Sequence, residues 1–177
     1  MQGYSFIITG RKDAGKSTLC WQILEYLNQQ PVSIGGVITL QNDKKWFYLV
    51  AEKSKIPFEA SEIDEYIPIG DYHVHKINLK YAINSIKKGL DSDFLFIDEI
   101  GPLELQGSGY FPILDSVLSR EQGNILVIRE TILNEFLSMY PLIKKYRLIK
   151  VESHETLSPL NFFKNMITQT SNDSQKI

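Results

Sequence analysis

Short apolar runs alternate with longer stretches of helical periodicity along this chain. Tyr4 to Thr9 is apolar with β-branched residues and predicts a strand, whereas Leu19, Ile23, Leu24 and Leu27 recur at helical spacing within Thr18 to Leu27. Val32 to Leu40 predicts a second strand, interrupted at Gly35-Gly36. Phe94 to Ile97 and Ile125 to Ile128 are continuous apolar runs, the pattern of central parallel strands covered on both faces. Ile77 to Leu90, Tyr110 to Ser119, Thr131 to Tyr140 and Glu155 to Thr168 predict helices, and Arg147 to Val151 a last strand.

Residues 41–70 differ in character. Asn42-Asp43-Lys44-Lys45 is a turn signal, Trp46 to Val50 an aromatic-rich strand, and Ile56-Pro57-Phe58 a return arm that Pro57 confines to a sheet edge. This stretch is expected to form a small β insert beside the site. The whole predicts one α/β domain over residues 1–168, with a mostly parallel central sheet and helices on both faces, so three layers. A polar tail over 169–177 is expected to be disordered. In such a sheet a ligand binds at the carboxyl ends of the strands. The residues that follow the buried runs are therefore the ones to inspect for chemistry.

Composition narrows the classes. The 177 residues are 43% hydrophobic and 23% charged with a net charge of −2, which fits a globular protein and gives no electrostatic case for a nucleic-acid partner. No apolar run approaches the ~20 residues needed to cross a bilayer, so no membrane partner is expected. Met1-Gln2-Gly3-Tyr4 enters a strand with no secretory pattern. Cys20 is the single cysteine, which excludes an internal disulfide. The expected location is the cytoplasm.

The first buried run leads into Gly10-Arg11-Lys12-Asp13-Ala14-Gly15-Lys16-Ser17, which fits G-x-x-x-x-G-K-[ST] between a strand and a helix. Glycines at both ends let the backbone wrap an anion with its N–H groups, and the helix that follows adds the positive end of its dipole. Gly10 to Thr18 is thus the expected phosphate-binding segment, with Lys16 on the β- and γ-phosphates and Ser17 on Mg²⁺. The central run ends in Asp98-Glu99. Asp98 is the candidate second Mg²⁺ ligand, and Glu99 the candidate that orients and polarises an attacking water. Arg129 ends the next run, either to stabilise charge on the γ-phosphate or to pair with Glu130 or another surface carboxylate. His73-Val74-His75 lacks a nearby third ligand and points to a structural role. Trp46, Phe47 and Tyr48 suit core packing, and the pairs Lys44-Lys45, Lys87-Lys88 and Lys144-Lys145 read as solvated surface.

At Asp98-Glu99-Ile100-Gly101-Pro102-Leu103-Glu104-Leu105, taken with Ile8-Thr9-Gly10-Arg11 and Gly15-Lys16-Ser17-Thr18-Leu19, the chain resembles the small nucleoside-triphosphatases first known from thermophiles. The resemblance extends from about residue 4 to residue 150. It implies a P-loop NTPase fold and Mg²⁺-dependent hydrolysis of ATP, GTP and other nucleoside triphosphates to diphosphate and phosphate. It carries phosphate-loop roles to Gly10, Gly15, Lys16, Ser17 and Thr18, and acidic-strand roles to Asp98 and Glu99. Glu104 matches a family position without a chemical role. Two departures stand out. Asp13 replaces a frequent Gly, so its carboxylate is expected to face solvent. Val37 to Gln41 lacks the arginine that often follows the second strand. A small-molecule or nucleotide kinase, and a GTP-binding adaptor like the related molybdopterin-guanine dinucleotide synthesis adaptor, remain as alternatives. The physiological nucleotide and the oligomeric state are not encoded in these motifs.

Overall fold

The computed structural model describes residues 5–69, 72–141, 143, 145–152 and 156–173. Seven strands form the main sheet: β1 (Ser5–Thr9), β2 (Ile34–Gln41), β3 (Lys45–Leu49), β4 (Ser54–Pro57), then β7 (Phe94–Ile100), β8 (Gly123–Ile128) and β9 (Tyr146–Lys150). Two shorter strands, β5 (Tyr66–Ile69) and β6 (Tyr72–His75), pair in a separate antiparallel ribbon. The main sheet has the order β4-β3-β2-β7-β8-β1-β9. From β2 to β9 all neighbours are parallel, while β3 and β4 add an antiparallel hairpin at one edge.

Alternation along the parallel strands divides the interior into two cores. Ile7, Leu95 and Ile97 face α2 (Lys76–Lys88), α4 (Phe111–Ser119) and α5 (Leu133–Met139), whereas Phe6, Ile8, Phe94 and Phe96 face α1 (Lys16–Leu27) and α6 (Leu157–Asp173). Continuous apolar runs are what a sheet buried on both sides requires. The three-layer expectation therefore holds. No helix among the described residues is long and apolar enough to cross a membrane.

Several boundaries differ from the sequence reading. The expected insert splits in two: β3 and β4 belong to the main sheet, with Pro57 on its edge strand, and only β5–β6 stands apart. That ribbon is tied to the chain after β4 by the Glu59–Val74 bridge and by His75 N–H donating to the Phe58 carbonyl. The last helix continues to Asp173, so residues 169–173 of the expected disordered tail are helical, and 174–177 lie outside the described residues. A one-turn helix, α3 (Pro102–Leu105), has no apolar periodicity to announce it.

Gly35-Gly36 does not interrupt β2. Gly36 lies opposite Phe96 in the β2–β7 register and has φ +98°, and a Cβ there would stand 2.0 Å from the Phe96 carbonyl oxygen. Only glycine allows the two strands to close at this point. Gly36→Ala is expected to cost about 2–4 kcal/mol, combining left-handed strain with overpacking, and to lower the denaturant midpoint with an unchanged slope.

Candidate active site

Three strand ends meet at one cleft of about 670 Å³. The loop after β1 supplies Gly10 to Asp13 and leads through Gly15 into Lys16, Ser17 and Thr18, β7 supplies Asp98 and Glu99, and Arg129 follows β8. Gly10 (φ +152°) is forced by its neighbour: a Cβ would meet the Val151 carbonyl oxygen at 2.1 Å. Asp13 is exposed with φ +59°, a conformation aspartate tolerates, so its carboxylate does face solvent. Ala14 could serve the expected binding set only through its main chain. Its methyl group is buried in the α1–α6 core, and its N–H donates to the Arg11 carbonyl within the loop.

Asp98 and Glu99 reach the same cleft through a bulge. Ile97 pairs with Leu126 but Ile100 with Ile128, so β7 carries one extra residue between them. Glu99 takes it up at φ +76°, and Ile97 and Ile100, three apart, both end in the same core. A regular strand would send adjacent side chains to opposite faces.

Asp98 is fully buried, accepts the Thr39 N–H at 3.1 Å on Oδ2, and is hydrogen-bonded to the Ser17 side chain. Burial, reinforced by the Glu99 charge, pushes its carboxyl up to about 7 despite those hydrogen bonds and the nearby Lys45. Half-buried Lys16 donates to the Arg11 carbonyl at 2.5 Å, and desolvation holds its ammonium below the usual lysine range despite Asp98 and Glu99. Arg129 contacts Glu99 Oε1 at 3.3 Å rather than Glu130, which faces Lys150 instead.

Hard oxygen donors are what Mg²⁺ takes, with several of its waters retained. The Ser17 hydroxyl and the Asp98 carboxyl, already hydrogen-bonded to each other, fit that demand. Beside them the buried Thr39 Oγ1 has no partner among the described residues, which suits a contact to a metal-bound water.

Sequence reasoning missed Lys45, grouped above with solvated surface. Its side chain is only 5% exposed and its ammonium lies 2.6 Å from Glu99 Oε2. The signal was alternation: Lys45, Phe47 and Leu49 share the buried face of β3. Glu104 also acquires a role. Its buried carboxylate accepts the Gly101 N–H at 2.7 Å and the Tyr110 N–H at 2.9 Å, closing the loop that follows Glu99. His75 caps α2 through Nδ1, which accepts the Asn78 N–H, and His73 stacks against Tyr66.

Fold and cleft together define a phosphate-loop α/β protein of the nucleotide-binding class. The family model described as NTPase matches residues 5–159, and the chain belongs to that family. It is 33% identical over 122 residues to the nucleoside-triphosphatase THEP1 of Methanothermobacter thermautotrophicus, covering 65% of this chain and 70% of the relative. It is 27% identical over 136 residues to the THEP1 of Methanocaldococcus jannaschii, covering 73% and 80%. The fold is shared with the crystal structure of THEP1 from Aquifex aeolicus, at TM-score 0.68, 20% identity and coverage of 84% of this chain and 90% of that one. It is also shared with a human cancer-related nucleoside triphosphatase in solution, at TM-score 0.69, 17% identity and coverage of 94% and 98%.

Two measurements check this site. Because the folded pKa of Asp98 lies above its unfolded value, the native state holds a proton between about pH 4 and 7 that the unfolded chain releases. The stability Asp98 contributes is therefore present in acid and lost as pH rises through about 7. Denaturation in EDTA is expected to show the wild type losing stability relative to Asp98→Asn over that window. Glu104→Ala leaves two buried N–H groups unmet and is expected to cost about 2–4 kcal/mol by the same assay.

Proposed function

We propose that the protein is a Mg²⁺-dependent nucleoside-triphosphatase that hydrolyses ATP, GTP and other nucleoside triphosphates to diphosphate and phosphate. The observation that carries hydrolysis is the Glu99 carboxylate, brought to the cleft beside Asp98 by the bulge in β7 and bordering a small recess. This recess, lined also by Phe58, Tyr72, Gly101 and Tyr110, has a volume of about 40 Å³. That space is enough for water beside the Glu99 carboxylate, which can take the proton of an attacking water.

The loop amides and Lys16 bind the β- and γ-phosphates. Ser17 and Asp98 would hold Mg²⁺, which when bound would neutralise the phosphate charge that builds during transfer. Glu99 orients a water from the recess in line with the γ-phosphorus. A bond forms from the water oxygen to phosphorus as the bond to the β,γ-bridging oxygen breaks, and the diphosphate leaves with that electron pair. The proton lost by the water passes to the Glu99 carboxylate and then to solvent. Arg129, held against Glu99, faces the same charge from the β8 side. Membership of the NTPase family supports this reading.

Phosphate release from ATP, GTP, CTP and UTP with Mg²⁺ tests it. Release from several triphosphates is expected, abolished by EDTA and by Lys16→Ala. Glu99→Gln is expected to keep nucleotide binding while lowering kcat roughly a hundredfold or more. A wild-type rate in Glu99→Gln removes Glu99 from the role of base, and tight binding without release by the wild type removes the hydrolase reading.

A further inference from the structure

Lys45 occupies an unusual position for a lysine. Its ammonium is 4.4 Å from the ring centroids of both Phe58 and Tyr72, and its side chain is 5% exposed. Aromatic faces attract a cation without accepting its N–H groups in ordinary hydrogen bonds. Glu99 is its oxygen partner among the described residues, so the ammonium keeps donor capacity beyond that one contact. Lys45 also lines the cleft that holds Lys16 and Arg129.

Burying a charge is costly unless it is put to use or well paired. A buried, fixed cation acts on developing charge far more strongly than a solvated one, because little water needs to reorganise around it. Arg129, at 42% side-chain exposure, is screened by comparison. The position is also telling. Lys45 lies directly across from Gln41 in the β2–β3 register, and both residues line the cleft.

We propose that Lys45 is a catalytic residue of this site: held by Phe58, Tyr72 and Glu99, its ammonium donates to a γ-phosphate oxygen as phosphoryl transfer proceeds. The proposal rests on the reading of the cleft as a phosphoryl-transfer site. The cation comes from the fold itself, from the edge hairpin of the sheet, rather than from a neighbouring molecule. In the resting state its partner is Glu99. As charge builds on the γ-phosphoryl oxygens, Lys45 bridges them to Glu99 and so couples the group that handles the water to the group that is attacked.

The test compares binding of Mg·ADP with binding of Mg·ADP plus aluminium fluoride, which mimics the transferring phosphoryl group, in wild type, Lys45→Met and Lys45→Arg. Lys45→Met is expected to bind Mg·ADP within about threefold of wild type, yet to lose roughly a hundredfold of the tightening that fluoroaluminate brings. Its kcat is expected to fall by a similar factor with KM little changed, and Lys45→Arg is expected to retain most of the tightening. Lys45→Gln replaces Lys45→Met if circular dichroism shows the methionine variant unfolded. Equal tightening in wild type and Lys45→Met overturns the proposal. So does a loss of Mg·ADP affinity as large as the loss with fluoroaluminate, which would mark a structural role. The two readings fail separately. A wild type that releases no phosphate from any triphosphate sinks hydrolysis alone, while loss of tightening in Lys45→Met still upholds Lys45, since kinases and hydrolases stabilise the same phosphoryl group.

Discussion

Neighbouring residues on a regular strand face opposite sides of the sheet, so two adjacent carboxylates at a strand end cannot normally serve one site. In this protein the bulge in β7 removes that restriction. One extra residue, with Glu99 at φ +76°, directs Asp98 and Glu99 to the same cleft while Ile97 and Ile100 stay in the core. A positive φ at a non-glycine residue costs of order 1–3 kcal/mol and persists only where the surroundings hold it. The surroundings here are specific. Lys45 and Arg129 grip the two oxygens of Glu99, and Glu104 fastens the loop that follows.

The charges in the cleft form an interdependent set. Asp98 is driven toward its neutral form by burial and by Glu99, and Lys16 is driven the same way by burial. Asp98 is poised to become more fully charged when a divalent cation arrives, and Lys16 to regain from an anion the stabilisation that burial removes. Two of the cations are held apart from the phosphate loop, Lys45 on β3 and Arg129 after β8, so the cleft is flanked by positive charge from two strands. Glu99 links them.

Close backbone contacts supply the rigidity this arrangement needs. Gly36 lets β2 approach β7 just before the bulge, and Gly10 lets the phosphate loop pass the end of β9. Both contacts are to carbonyl oxygens of the main chain, which cannot move aside as a side chain can. Strand spacing and loop position are thereby coupled, and the phosphate loop is held in register with the acids of β7.

The sequence by itself determined the layers, the phosphate loop and the acidic strand end. Those features are local: a buried strand reads as an apolar run, and Gly10 to Ser17 carries its chemistry in consecutive residues. That Asp98, Glu99 and Arg129 would lie at one edge of the sheet was legible for the same reason, since each follows such a run. Tertiary structure alone decided the partners. Arg129 had Glu130 beside it in sequence, yet it pairs with Glu99, thirty residues away. Lys45 read as half of a solvated pair because its burial depends on Phe58 and Tyr72, which later segments bring over it. Glu104 had a motif position but no role until Gly101 and Tyr110 turned their N–H groups toward it. Ala14 stood inside the motif and was nonetheless turned into the core. Periodicity records which face of an element is apolar. It does not record which distant side chain will complete a charge, because that depends on how the hairpin, the ribbon and the loop after β7 fold over the end of the sheet.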